Sequence, residues 1–205
     1  MKKVVSLILA AVLILALASC GGEKNRTYDE AEVKTAAERL IKKTELLNKI
    51  LWGEGIPYID EAIYASGKYY AADPIYLYNH GFMILDDIIE ECEQVFSTSY
   101  LVSIRTSVFS SSAGDYGMAG YTRYYQGSEN IMVYTDYIPL LTDTVEYDYE
   151  NINVKGSVGE KVSVEIPVKV TRGDLSQERI ITISLVEEDD GWKIDSPTYA
   201  SYREQ

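Results

Sequence analysis

The sequence predicts an α+β protein in which N-terminal helices pack on a curved antiparallel C-terminal β-sheet. Two periodicities predict it. From Thr144 to Asp195 the chain reads as a β-meander: Val162, Val164, Ile166, Val168 and Val170 alternate with Ser163, Glu165, Pro167 and Lys169, so one face is dry and the other wet. Ile181, Ile183 and Leu185 repeat that period, and Trp192 with Ile194 begin a last short strand. Before the meander, apolar residues recur at helical steps, first over Val33–Leu51 and again from Ile84. A sheet with one dry face needs a lid, and these segments supply it.

At 205 residues the chain has room for a leader and one domain, or at most two very small ones. Its 19 basic and 32 acidic residues give a net charge of −13, which argues against nucleic acid, whose binding wants a basic stripe, and against lying flat on anionic lipid. Eighteen tyrosines stand against three phenylalanines, so many rings keep a polar tip for sheet edges, pocket mouths or the surface.

The N-terminus carries an address. Lys2 and Lys3 precede an apolar run from Val4 to Ala18, shorter than the roughly 20 residues that span a bilayer. The following Leu17-Ala18-Ser19-Cys20 resembles the lipobox of bacterial lipoproteins at all four positions. That resemblance implies a signal peptide over residues 1–19, cleavage before Cys20, and diacylglycerol on the Cys20 sulfur with acyl chains such as palmitate. Without the resemblance, an ordinary secretory signal or an uncleaved anchor remains open. Residues 20–27 then form an acylated tether. At about 3.4 Å per residue it reaches roughly 20–25 Å, which keeps a single domain over residues 28–202 close to the outer face of the cell membrane.

Thr27 with Glu30 reads as a capping box, with Asp29 also favourable at a helix start. The helix then runs through Val33, Ala36, Ala37, Leu40, Ile41, Thr44, Leu47 and Leu51, with Glu38–Lys42 and Glu45–Lys49 paired on its wet side, to a stop at Gly53. Gly53, Gly55 and Pro57 make a loop. Tyr58–Ser66 is ambiguous, with a short helix as the candidate. Lys68–Ala72 reads as a strand ended by Asp73-Pro74, and Asn79-His80-Gly81 as a turn. Ile84–Phe96 is a helix with an acidic outer face of Asp86, Asp87, Glu90, Glu91 and Glu93, and Ser97–Phe109 a second short one. Ser110–Gly120 collapses to small and polar residues and reads as a mobile loop. Strands follow at Tyr121–Tyr125 and Ile131–Tyr134. The meander turns at Gly156–Gly159, Arg172–Gln177 and Glu187–Gly191.

This order of elements resembles the NTF2-like, or cystatin-like, fold, and the ending Asp189-Asp190-Gly191-Trp192-Lys193-Ile194-Asp195-Ser196-Pro197-Thr198-Tyr199 is similar to the close of many NTF2-like bacterial lipoproteins. The resemblance implies a cone of helices closed by the sheet. Secreted inhibitors of cell-wall endopeptidases share a similar element order, while enzymes of the fold place Asp, His or Tyr deep in the cone. The fold by itself does not choose among these roles.

Candidate chemistry is sparse. His80 sits in a turn with no carboxylate beside it in sequence, and Tyr134 with Asp136 is a spacing that many Tyr and Asp residues would produce. Glu187–Asp190 lacks the alternation of a calcium loop, and Asp86–Glu93 reads as a solvated helix face. Gly114–Gly120 lacks the lysine of a phosphate loop. Cys92 reads as a small buried hydrophobe. No catalytic residue, metal ligand or cofactor is assigned. What remains is aromatic: Tyr116, Tyr121, Tyr124, Tyr125, Tyr134 and Tyr137 crowd around Arg123. Strand alternation would put Tyr121 and Arg123 on one face and Tyr124 on the other. Tyr121, Arg123, Tyr124, Tyr125 and Tyr134 are either a recognition surface for peptide or glycan, or rings that fill the sheet under the helices. The expectation is a membrane-anchored binding or regulatory domain for a protein, peptide or envelope polymer, with a cell-wall enzyme among the candidates for what it regulates; the alternative is a small-molecule binder or enzyme that uses the cone's cavity.

Overall fold

The computed structural model describes residues 28–64, 68–110, 116–117 and 120–203. The chain is α+β, with four helices and two mainly antiparallel five-stranded sheets among the described residues. None of those helices is long and apolar enough to cross a membrane.

Helix α1 (Glu30–Leu51) buries Val33, Ala36, Ala37, Leu40, Ile41, Thr44, Leu47 and Leu51, the stripe its periodicity marks, together with Asn48 and Ile50. Its N-cap is Asp29, whose Oδ1 accepts from the Ala31 amide at 2.8 Å; the expected cap residue Thr27 lies outside the described residues. Glu38 pairs with Lys42, whereas Glu45 accepts instead from the Tyr149 hydroxyl at 2.8 Å.

Strands β8 (Thr144–Tyr147), β9 (Asn153–Val158), β10 (Lys161–Arg172), β11 (Leu175–Glu188) and β12 (Gly191–Ile194) form the meander sheet. β10 is its spine. One edge pairs with β11 along its whole length, while the other is shared end to end by β9 over Lys161–Glu165 and β8 over Val168–Thr171. Pro167 sits at that junction. Its carbonyl accepts from Asp148 at 2.9 Å, so its missing N–H falls where the 3₁₀ turn Tyr149–Asn151 interrupts the neighbouring strand. The hairpins are tighter than the sequence suggests. Lys161 pairs with Val158, Arg172 with Leu175 and Glu188 with Gly191, leaving two-residue turns, with Gly159 at φ 62° and Gly173 at φ 57°. Gly156 belongs to β9, beside a bulge at Lys155.

The dry row Val162, Val164, Ile166, Val168 and Val170 is buried under α1, the helix Leu85–Val95 and their neighbours, in one core that also takes Ile183, Leu185 and Ile194. A buried polar thread ties the C-terminal segment to α1: Asn48 donates to Thr198 at 2.9 Å, Thr198 to Thr44 at 3.0 Å, and Thr44 to the Ile41 carbonyl at 2.7 Å. Every step is satisfied, so the thread fixes register at little cost.

The second sheet is assembled from short pieces in the order β1 (Tyr58–Tyr64), β2 (Tyr69–Ala72), β7 (Ile131–Tyr134), β6 (Tyr124–Gln126) and β3 (Phe109–Ser110), with β3 and β6 parallel. The stretch Tyr58–Ser66, a short-helix candidate by sequence, is a strand over Tyr58–Tyr64, and residues 65–67 lie outside the described residues. Ile59 and Ile63, four apart, imitate a helical stripe, but the β1–β2 register shifts between them and both pair across the ladder. Asp73-Pro74 does not only end β2. It starts α2 (Pro74–Asn79), with Asp73 as N-cap and Pro74 in the first turn; six residues are too few to show a period. α3 (Leu85–Val95) and α4 (Thr98–Val108) match the expected helices. Tyr116–Gly117 (β4) and Gly120–Tyr121 (β5) pair as a small ladder within the stretch read as a loop, and residues 111–115 and 118–119 of that stretch lie outside the described residues.

Candidate functional site: the receptor for the end of helix α1

An α-helix leaves its last four carbonyls without intrahelical partners. In α1 these are Asn48, Lys49, Ile50 and Leu51, and each is met. Trp52 and Gly53 donate to Asn48 at 2.9 Å, and Gly55 to Lys49 at 2.9 Å. The Tyr124 hydroxyl donates to the Ile50 carbonyl at 2.8 Å and accepts from the Ile56 amide at 3.0 Å. The Tyr137 hydroxyl reaches Leu51 at 3.5 Å. Beyond the helix, Leu140 and Leu141 donate to Trp52 at 2.8 and 2.9 Å, and Arg123 Nη2 donates to Gly53 at 2.7 Å.

The tyrosine–arginine cluster is therefore assembled around this helix end. Tyr124 is 0% exposed and Arg123 3%, so neither is a surface anchor. Burial pushes the Tyr124 hydroxyl up, and it remains a neutral donor. The guanidinium lies 4.0 Å from the Tyr137 ring centroid and 5.5 Å from that of Tyr124, a cation on aromatic faces beside the negative end of the helix dipole. Its Nε and Nη1 make no hydrogen bond. Gly55, at φ +84°, is a geometric requirement: a methyl there would overlap the guanidinium and come within 2.8 Å of the Tyr124 hydroxyl.

Alternation fails across Arg123–Tyr124 because β6 begins only at Tyr124, and both side chains reach Gly55. It resumes at Tyr125, which is buried on the opposite sheet face with Tyr69, Ala71 and Met132, while half-buried Tyr134 packs against them. Tyr69 and Tyr125 meet edge to face at 4.9 Å. Of the five candidate residues, the structure thus brings together Arg123 and Tyr124 in one group and Tyr125 and Tyr134 in another; the Tyr121 side chain lies outside the description.

Beside Gly53 a cleft of about 580 Å³ opens between the last turns of α1 and residues 139–145, with Lys49, Glu54 and Leu141 on its walls. Most of its other polar groups are committed to bracing. Asp143 accepts two bonds from Arg172, at 2.7 and 2.9 Å, and one from the Tyr202 amide; Arg172 above all, with Tyr202, holds its carboxyl below the usual range against the opposing effect of burial. Tyr147 donates to the Thr198 carbonyl, and burial pushes its hydroxyl up to about 12. No local window of sequence contains this cleft, because its walls come from segments nearly a hundred residues apart.

The remaining candidates have structural surroundings. His80 is exposed, its ring tilted against that of Tyr76 at 4.3 Å between centroids, with Nδ1 2.8 Å from the Tyr76 carbonyl. Cys92 is buried, and desolvation pushes its thiol up to about 12. Glu188 caps the start of α4 through the Thr98 amide at 2.8 Å, and Asp190 pairs with Lys193. Asp87 accepts from Met83 and Ile84 at 2.6 and 2.9 Å, while Glu91 and Glu93 pair with Lys43 and Arg105. Asp136 pairs with Lys68 at 3.7 Å. Among the described residues no three His, Cys, Asp or Glu side chains are grouped to hold a metal ion. No protein-family model matches the chain, and no curated protein matches its sequence.

Proposed function

We propose that this chain is a bacterial lipoprotein whose NTF2-like domain stands on the outer face of the cell membrane, held through Cys20, and acts there as a binding or regulatory module for a protein, peptide or envelope polymer. The observation that carries the reading is the apolar core shared by α1 and the meander. Five aliphatic side chains of β10 meet Leu40, Ile41, Leu47, Ile50 and Leu51 of α1 in one buried core, where an enzyme of this architecture would keep its pocket. Recognition then falls to the exterior. Support for the anchor is the Leu17-Ala18-Ser19-Cys20 sequence and its basic, apolar leader.

Two measurements test the parts separately. Fractionation with fatty-acid labelling of the wild type and Cys20→Ala should show label and membrane retention in the first and neither in the second; a retained, matured variant overturns the anchor. For the shared core, Val164→Phe should destabilise by about 1–3 kcal/mol through overpacking. Stabilisation by the larger ring would reveal a cavity and favour the small-molecule reading.

A further inference from the structure

Exposed apolar side chains scattered singly over a surface need no explanation, but a concentration of them does. α2 and the turn into α3 present Ile75 at 70% exposure, Tyr78 at 75% and Met83 at 71%, with Ile84 beside them also exposed. These lie together. Ile75 and Tyr78 are one helical turn apart, and the Phe82 amide bonds back to the Leu77 carbonyl at 2.9 Å, which returns the chain to the end of α2 just before Met83.

The charge that this stretch of chain carries has one sign. Residues 69–104 contain six carboxylates and no Lys or Arg, so nothing in that stretch offsets them. Asp73 caps α2 through the Ile75 amide, and Asp87 holds the amides of Met83 and Ile84, which places carboxylates against the apolar group itself. Glu91 and Glu93 are neutralised by Lys43 and Arg105, whereas Asp86 and Glu90 make no ion pair among the described residues. An anionic bilayer and a second copy of this acidic chain would both meet repulsion here. A cationic partner would not.

We infer that this α2–α3 knuckle is a docking surface for a basic, amphipathic polypeptide segment, its apolar side chains on Tyr78 and Met83 and its Lys or Arg groups on Asp86 and Glu90. The inference deepens the binding-module reading and rests on it for the partner being a polypeptide. Position agrees: the Asp73 amide bonds to the Pro57 carbonyl a few residues past the C-terminal end of α1, whereas the chain enters the domain at the other end of that 22-residue helix, which is about 33 Å long.

The test uses the full chain in detergent micelles and a fluorescein-labelled amphipathic peptide of leucine and lysine, followed by anisotropy, beside its glutamate-for-lysine twin. The lysine peptide should bind, and the twin should not. Tyr78→Ser/Met83→Ser should weaken binding at least about tenfold, a loss of 1.4 kcal/mol or more, and Asp86→Asn/Glu90→Gln should weaken it and flatten its salt dependence. Val158→Ser/Ile180→Ser, which removes exposed apolar side chains elsewhere, should leave it unchanged. Equal binding to all variants would reduce the effect to net charge and overturn the inference. So would self-association abolished by the Tyr78/Met83 pair, or a solvatochromic label on Tyr78→Cys reporting an apolar setting in phosphatidylglycerol vesicles before peptide is added. None of these outcomes touches the Cys20 fractionation, so failure here is separable from failure of the anchor.

Discussion

The two sheets are built on opposite plans. In the meander, successive strands from β9 to β12 pair through two-residue turns, and one long strand, β10, sets the register of β8, β9 and β11. In the β1–β2–β7–β6–β3 sheet, strands of two to seven residues come from segments separated by helices, and the polar groups of β6 and its flanks are spent on the far end of α1. The meander holds itself together by apolar area. The second sheet depends on hydrogen bonds that satisfy another element's backbone, so the two regions should fail differently when altered.

The largest expected effect is in the meander. Ile166→Ala removes a fully buried side chain at the centre of β10 and should cost about 2–5 kcal/mol in urea melts, against about 0.5 for Glu165→Ala on the wet face. Equal losses would mean the faces are misassigned. In the second sheet, Tyr124→Phe keeps the ring but strands the Ile50 carbonyl and the Ile56 amide, and about 2–3 kcal/mol should be lost. A neutral result would mean that water replaces the hydroxyl and that the helix end is not sealed.

The contrast explains what could be read in advance. Val162 to Val170 announce a strand because the period is long, regular and one-sided, and α1 announces itself in the same way. β1, α2 and the Arg123–Tyr124 junction do not. Ile59 and Ile63 mimic a helix across a bulge, α2 is shorter than two turns, and Arg123 breaks alternation because its partner is a carbonyl seventy residues away. Tyr124 could be seen as aromatic and near a cation, but its burial follows from the position of α1, which no local window contains.

Where the meander meets the helices, Asp195 supplies a smaller, pH-dependent effect. Burial would raise its pKa, but hydrogen bonds from Lys161, Ser97 and Ser99 outweigh that and hold the carboxyl below its ordinary 3.8. A depressed folded pKa contributes stability that is present above the unfolded value and is lost as pH falls through the folded one. Asp195→Asn should therefore be less stable than wild type by about 1–2 kcal/mol near neutrality, with the gap closing below roughly pH 4. A gap that is independent of pH would assign the loss to packing instead.

The smallest effect is expected at Arg123. Its charge is buried with two nitrogens unpaired, so Arg123→Met sheds a desolvation penalty together with one hydrogen bond. The net change should stay within about 1 kcal/mol. A loss of 3 kcal/mol or more would show that the cation, through the helix dipole and the Tyr137 ring, contributes more than its burial costs.

That β6 and its flanks serve as the receptor for the end of α1 is tested most directly by native-state hydrogen exchange in Tyr124→Phe. The Ile56 amide, which loses its acceptor, and the neighbouring Gly55 amide should exchange faster than the global change in stability explains. Amides of the β10–β11 ladder, such as Val164 and Ile183, should slow or quicken only with global unfolding. Uniform acceleration across both regions, or no local change at Gly55 and Ile56, would contradict the account.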